Sequence, residues 1–233
     1  MDKEKIPVHR FPMPGINSNM YIIIEDNEAF IVDPNINGNA LGLLKENGVQ
    51  SAAVVITHEH YDHISGVNWL RESIDCTVMC SRDAADAVTD SSRNFAKFWD
   101  VLMMGKTPEE IKTGLKVKDE NYTCRADEIL QNEKEWQWKG HSVRVRAAPG
   151  HSKGGILISF DNILFSGDNL VNGFGVICRL PGGKWKIYET ETLPLIQRMS
   201  DDVMVYPGHG EPDKLGNLRK YLVKFGQEVG DGK

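Results

Sequence analysis

An α/β fold is what this sequence predicts, and three observations predict it. Short apolar runs rich in β-branched residues recur along the chain, helical patterns lie between them, and the composition is that of an ordinary globular protein. At 233 residues, with 40% hydrophobic and 26% charged residues, the chain can bury one large core without disulfides. The expectation is one domain spanning 1–233.

The strand-length runs are Met20–Ile24, Ala29–Val32, Ala52–Thr57, Thr77–Cys80, Ser142–Ala147, Ile156–Phe160, Ile163–Phe165 and Val203–Tyr206. Gly, Pro, Asp or Asn bound many of them, as residues that end strands do. Glu25-Asp26-Asn27 and Asp161-Asn162 read as hairpin turns. Helical patterns cover Asn39–Asn47, closed by Gly48, and Ile64–Glu72, with Ile64, Val67 and Leu70 on one face. Thr107-Pro108-Glu109-Glu110 combines an N-cap, a first-turn proline and a capping glutamate, so a helix starts there. Two more helices are expected at 187–198 and 213–225.

The stretch from about 82 to 128 carries no strand signal and reads as a helical insertion. Its Phe95, Phe98, Trp99, Leu102, Met103 and Met104 read mainly as packing against the core, with a lid or pocket wall as the other reading.

Several function classes are disfavoured. The first residues, MDKEKIPVHRF, lack the apolar stretch of a secretory signal, and no apolar run approaches the ~20 residues of a membrane helix. Cys76, Cys80, Cys124 and Cys178 show no CxxC spacing and read as reduced thiols of a cytoplasmic protein. A net charge of −6 speaks against nucleic-acid binding, which wants a basic face. The partner expected is a small-molecule substrate.

The chemistry concentrates in Thr57-His58-Glu59-His60-Tyr61-Asp62-His63, directly after an apolar strand. Residues two apart in an extended chain point the same way, so His58 and His60 face one side together. The turn into a helix re-aims Asp62 and His63 towards a neighbouring point, so that two adjacent ions can be chelated. Three further candidates, His151, Asp168 and His209, each follow a glycine near a strand end, where the backbone bends freely. Of seven histidines, five sit in these motifs. A lone histidine is ordinarily a hydrogen-bonded structural residue, and His9 and His141 are read that way. Five placed histidines with two aspartates ask for more than that.

HEHYDH, PGHSKGG, FSGD and YPGHG in this order resemble the metallo-β-lactamase superfamily, in the hydrolase branch similar to glyoxalase II. The resemblance runs from IVDP at 31–34 to YPGHG at 206–210. It implies a four-layer αβ/βα sandwich: two mixed sheets face to face, helices outside, metals at one edge. It also implies His58, His60 and His151 on a first ion, Asp62, His63 and His209 on a second, and Asp168 bridging both. Asp33 matches a position that orients a ligand, or else it caps the following turn. His60 separates the chain from flavodiiron oxygen reductases, which carry glutamate there.

The donor set suits two divalent metal ions, Zn first, with Fe or Mn admitted. The expected activity is hydrolysis: a bridging hydroxide, made available near neutral pH by the metals, attacks an ester, thioester or lactone carbonyl while Asp62 orients it. Two divalent ions, two aspartates and a hydroxide leave about one positive charge, which would welcome an anionic substrate. Arg179, Lys153 and Lys184 lie near the motifs but read as surface charges. Glyoxalase II enzymes carry a further helical domain, whereas 24 residues follow His209 here, which weakens the glutathione thioester as substrate. Two alternatives are a mononuclear iron persulfide dioxygenase and a metal-retaining, non-catalytic ligand-binding or regulatory protein.

Overall fold

Residues 6–227 are described by a computed structural model. Among the described residues, twelve strands form two six-stranded sheets. In the first, β1 (His9–Pro12), β2 (Asn19–Glu25), β3 (Glu28–Val32), β4 (Ser51–Val55), β5 (Asp75–Ser81) and β6 (Glu128–Leu130) lie in chain order. The second runs β12-β11-β10-β9-β8-β7, from β7 (Glu133–Trp138), β8 (His141–Ala147), β9 (Ile156–Phe160) and β10 (Ile163–Gly167) to β11 (Met204–Pro207) and β12 (Asp213–Lys214). Both sheets mix parallel and antiparallel pairs: β3-β4-β5-β6 and β10-β11 are parallel, the rest antiparallel.

Alternation along the strands sets the layers. Tyr21, Ile23, Phe30, Val32 and Val55 of the first sheet meet Val143, Val145, Ile158, Phe160 and Phe165 of the second in one buried cluster. The intervening residues Ile22, Ile31 and Val54 face the opposite way, onto Ala40 and Leu44 of helix α1 (Gly38–Glu46) and Ile64, Val67 and Leu70. On the outer face of the second sheet Leu157, Leu164 and Val205 pack with Ile196, Leu215 and Leu218. Strands buried on both faces read as continuous apolar runs, which is why these were legible. The result is the αβ/βα sandwich that the resemblance implied.

Local departures have local causes. The helix expected at 64–72 begins earlier, as α2 (Tyr61–Ile64), and resumes as α3 (Val67–Arg71). Gly66 marks the break, and a Cβ there would lie 2.6 Å from the Asn35 backbone. The expected 213–225 helix is replaced by β12, a short helix Leu215–Leu218 and a 3-10 turn Arg219–Tyr221. Four strands, β1, β6, β7 and β12, were not expected.

Within 82–127 the chain forms α4 (Arg82–Ala87), a 3-10 turn (Ala96–Phe98), α5 (Trp99–Leu102), α6 (Pro108–Gly114) and a second 3-10 turn (Leu115–Val117). The capping box at Thr107 and Glu110 is present. Phe95, Trp99 and Met103 are buried, Leu102 is half-buried, and Phe98 and Met104 are exposed. All four cysteines are free thiols. Among the described residues, no helix is long and apolar enough to cross a membrane.

His141 joins the two sheets. Its Nδ1 meets Asp161 at 2.6 Å and its Nε2 meets Glu25 at 2.8 Å, while the ring stacks on Phe160 at 5.0 Å. Glu25 ends β2 in the first sheet, whereas Asp161 turns between β9 and β10 in the second. The structural reading of His141 therefore acquires partners distant in sequence. Replacing His141 with Ala should lower unfolding stability by about 1–2 kcal/mol, since the bonds are charge-assisted but partly exposed. Urea unfolding checks this, and a loss within error would deny the ring a bridging role.

Candidate metal centre

Four loops at the strand ends carry the candidate side chains. The first leaves β4 and is fixed at Thr57, whose N–H and hydroxyl donate to the two Asp33 oxygens at 2.7 and 2.6 Å. His60 then caps α2 with extended backbone, and the helix turns Asp62 and His63 inward. Ser18 secures this turn by donating to the Asp62 carbonyl at 2.8 Å.

The other loops rely on glycines for distinct reasons. Gly150 has φ 131°, and a Cβ there would sit 2.4 Å from Tyr188 Cβ. Gly167 has φ 50° and follows a register shift in β10, which redirects Asp168 off the sheet. Gly208 has ordinary backbone, but its Cβ would fall 2.1 Å from Asp168 Oδ1. Close approach, not a left-handed turn, demands glycine before His209.

All seven candidate side chains meet in one cluster. The rings of His58, His60 and His151 are 4.6–4.8 Å apart by centroid, and one nitrogen of each falls within 4.8 Å of the others. A second group is Asp62, His63 and His209, with Asp62 Oδ2 3.4 Å from His63 Nε2 and 3.3 Å from His209 Nε2. Asp168 stands between them: Oδ1 is 3.4 Å from His63 Nε2, while Oδ2 is 3.5 Å from His209 Nε2 and 3.7 Å from His151 Nε2.

The hydrogen bonds assign the imidazole tautomers. Thr57 gives its hydroxyl proton to Asp33, so His58 Nδ1–H must donate to Thr57 Oγ1, at 3.0 Å. His151 Nδ1–H donates to the Ile177 carbonyl at 2.7 Å, and His63 Nδ1–H to Asp33 Oδ2 at 2.9 Å. For His58 and His151 the outer bond leaves an Nε2 lone pair pointing inward. Against the effect of burial, Asp62, Asp168 and Asp33 keep His63 protonated without metal, and it would present the same lone pair once a cation displaced its Nε2 proton. His58 Nε2, His63 Nε2 and Asp168 Oδ1 are buried with no hydrogen-bond partner in the protein. Buried polar atoms are rarely left so, and donors aimed at a common point fit a cation. His60 differs: its Nδ1 lies 3.1 Å from His151 Nε2. Two nitrogens on one tetrahedral zinc stand roughly 3.3 Å apart, given bonds of about 2.0–2.1 Å. These residues therefore fit divalent metal ions.

Asp33, His58 and His63 also lie close enough to form a ligand group. Both Asp33 oxygens are already engaged by Thr57 and His63, so Asp33 orients rather than ligates.

Without metal, the two groups hold their protons differently. Burial pushes His60 and His151 down to about 4 and lowers His58 strongly, which keeps these rings neutral. In the second group burial opposes charge, but Asp168 and Asp62 outweigh it and lift His209 to about 9. Burial likewise pushes Asp62 up, yet His63 and His209 hold it at about 2. An imidazolium–carboxylate set stands ready to exchange protons for a cation.

Three residues, Glu59, Tyr21 and Asn19, escaped sequence reasoning, whereas Phe95 was singled out mainly as packing. Glu59, inside the histidine motif, is 5% exposed and accepts from Ser152 Oγ at 3.0 Å and Gly154 N at 3.2 Å. It ties the loop bearing His58 and His60 to the loop bearing His151. Tyr21 and Asn19 donate to the Pro207 carbonyl at 2.7 and 2.9 Å and hold the His209 loop. Phe95 has φ 69°, a left-handed conformation costing a bulky residue about 1–2 kcal/mol, and its ring lies edge-on to His60 at 4.8 Å. An acidic residue flanked by histidines, as Glu59 is, was the one available signal.

Replacing Glu59 with Ala should weaken metal binding about 10–100-fold, while Glu59→Gln, which retains an acceptor oxygen, should lose far less. Competition with a chelator measures both; equal losses would deny the carboxylate this bracing role.

Two facing mixed sheets with a His/Asp cluster at one edge define a class of protein, the αβ/βα sandwich built around a metal centre. Residues 13–209 match the model of the Metallo-beta-lactamase superfamily, and the chain belongs to that superfamily. It is 25% identical over 210 residues to the "Probable metallo-hydrolase YqgX" of Bacillus subtilis, covering 88% of this chain and 92% of that one. A hydroxyacylglutathione hydrolase of Hydrogenovibrio crunogenus is 27% identical over 203 residues, 84% of this chain but 61% of the relative. The crystal structure of the B3 metallo-beta-lactamase BLEG-1 superposes with a TM-score of 0.71 at 26% identity, covering 90% of this chain and 95% of that one.

Proposed function

We propose that this chain is a binuclear metal-dependent hydrolase acting on an ester, thioester or lactone carbonyl. The observation that carries the reading is the place of Asp168 between the two ligand groups, with Oδ1 near His63 and Oδ2 near both His209 and His151. A carboxylate within reach of both groups can join two ions through its two oxygens. His58, His60 and His151 would hold one ion, Asp62, His63 and His209 the other, and Asp168 both; zinc fits this donor set best, with iron or manganese admitted. Bound there, such ions lower the pKa of water to about 7 and polarise a carbonyl oxygen.

The chain's own groups supply the rest. Asp62, an acceptor-only anion between His63 and His209, orients the attacking water by accepting its hydrogen bond. Asp33, Thr57 and the Ile177 carbonyl hold three imidazoles so that their lone pairs need not reorganise. No serine or cysteine nucleophile is required.

The likeness to a hydroxyacylglutathione hydrolase and to a β-lactamase sets the panel to try: thioesters, lactones, aryl esters and a β-lactam. Purified, reconstituted protein should carry close to two metal ions per chain, and a chelator should abolish turnover. Fewer than one ion per chain after full reconstitution would refute the binuclear site. Metal without turnover on any member of the panel would refute the hydrolase. Oxygen uptake with one iron per chain would replace it by a dioxygenase.

A further inference from the structure

Apolar side chains of the 82–127 segment form a ledge that starts at the metal centre and runs outward. Phe95 lies edge-on to His60, and Phe98 follows with its ring centroid 6.0 Å from that of Phe95. Phe98 and Val101 are three residues apart at the end of the 3-10 turn and within α5, and Met104 follows in the turn after α5, its N–H donating to the Val101 carbonyl. They are 41%, 48% and 76% exposed. The opposite face of the same stretch, Ala96, Trp99 and Met103, is buried in the core. Packing therefore accounts for one face and leaves the other without a role in the fold.

Two further observations give the ledge a purpose. Phe95 is held in its left-handed conformation by its neighbour Asn94, whose side chain bonds the Val88 and Tyr122 carbonyls and the Ala96 N–H. The Asn94 carbonyl in turn accepts from Tyr61 N, within the histidine motif, at 2.7 Å. Strain so firmly maintained beside a reactive centre goes with function. Of the charges near the ledge in sequence, Asp100 pairs with Lys118 at 3.6 Å and Lys106 with Glu110 at 3.7 Å, and Lys97 is the exposed exception. The strip between them asks for a partner without charge.

We propose that this ledge is the acyl-chain subsite, and that the substrates carry a medium-length aliphatic acyl group lying along Phe98 and Val101, outward from the buried Phe95 ring. The subsite rests on the hydrolase reading of the metal centre. Continuity with His60 favours a chain attached to the reacting carbonyl over a second protein copy. An aliphatic chain on a one-sided apolar surface gains about twofold in affinity per methylene, half of the value for full burial.

Metal-loaded full-length protein should be assayed with p-nitrophenyl acetate, butyrate, hexanoate and octanoate. We expect kcat/KM to rise by about tenfold or more from acetate to octanoate. Phe98→Ala should reduce that ratio to within about threefold of unity, and Phe98→Leu, still apolar, should retain most of it. Flat dependence on chain length in the unaltered protein would overturn the subsite and leave the hydrolase standing. If no ester is cleaved, calorimetric binding of octanoate against acetate decides: tighter octanoate binding lost in Phe98→Ala keeps the subsite while the hydrolase falls, and equal binding removes both. A dimer that Phe98→Ala dissolves, with no chain-length preference, would assign the ledge to self-association instead.

Discussion

Asp168→Ala is expected to lower chelator-sensitive turnover by at least about 10³-fold and to leave one metal ion or fewer per chain. Metals contribute several kcal/mol of transition-state stabilisation, and each 1.4 kcal/mol is about tenfold in rate. Asp168 is placed to serve both ligand groups, Oδ1 towards His63 and Oδ2 towards His151 and His209. Asp62 cannot replace it, because it already faces His63 and His209. Asp168→Asn should lie between, since an amide offers one oxygen and turns an NH₂ towards histidine nitrogens. The sandwich should survive in both, because the apolar clusters between and outside the sheets do not include Asp168. Elemental analysis, circular dichroism and rate measurements on one preparation give the answer. A rate within threefold of the parent would remove Asp168 from the mechanism.

Much of this centre was legible because metal ligation restricts residue type and spacing together. His58 and His60 at i and i+2, then Asp62 and His63, describe a strand end turning into a helix, and the chain turns there. The glycines before His151 and Asp168 signal bends in the sequence, and positive φ values make them so. Gly208 fits the same pattern for another reason, a close approach visible only in three dimensions. Strands buried on both faces were legible from apolar runs, whereas β7, Glu-Lys-Glu-Trp-Gln-Trp, hides its alternation behind charges facing solvent. The expected 213–225 helix failed because its end trades helical bonds for tertiary ones: Val176 N donates to Val223 O and Phe225 N to Val176 O. Glu59 was illegible because its partners, Ser152 and Gly154, lie about ninety residues away.

Asp33→Asn should weaken metal binding about 10–100-fold while exchanging one atom for another of nearly the same size. Asp33 Oδ2 accepts two protons, from Thr57 Oγ1 and from His63 Nδ1. An NH₂ in its place faces both as a donor. His63 must then accept at Nδ1 and carry its proton on Nε2, where the lone pair had pointed into the site. Thr57 Oγ1 would accept from the new amide, which frees its own proton to point at His58 Nδ1, 3.0 Å away. His58 would follow His63 into the wrong tautomer, so one substitution disables a ligand in each group. Asp33→Ala should act more bluntly, leaving buried donors unpaired at a cost of about 3 kcal/mol in stability. Nitrogen-15 spectra of the imidazoles can distinguish the two effects: in Asp33→Asn the protons of His58 and His63 should move to Nε2 while unfolding stability changes little. Unshifted tautomers with normal metal affinity would show that backbone position alone, and not the Asp33–Thr57 proton chain, aims the histidines.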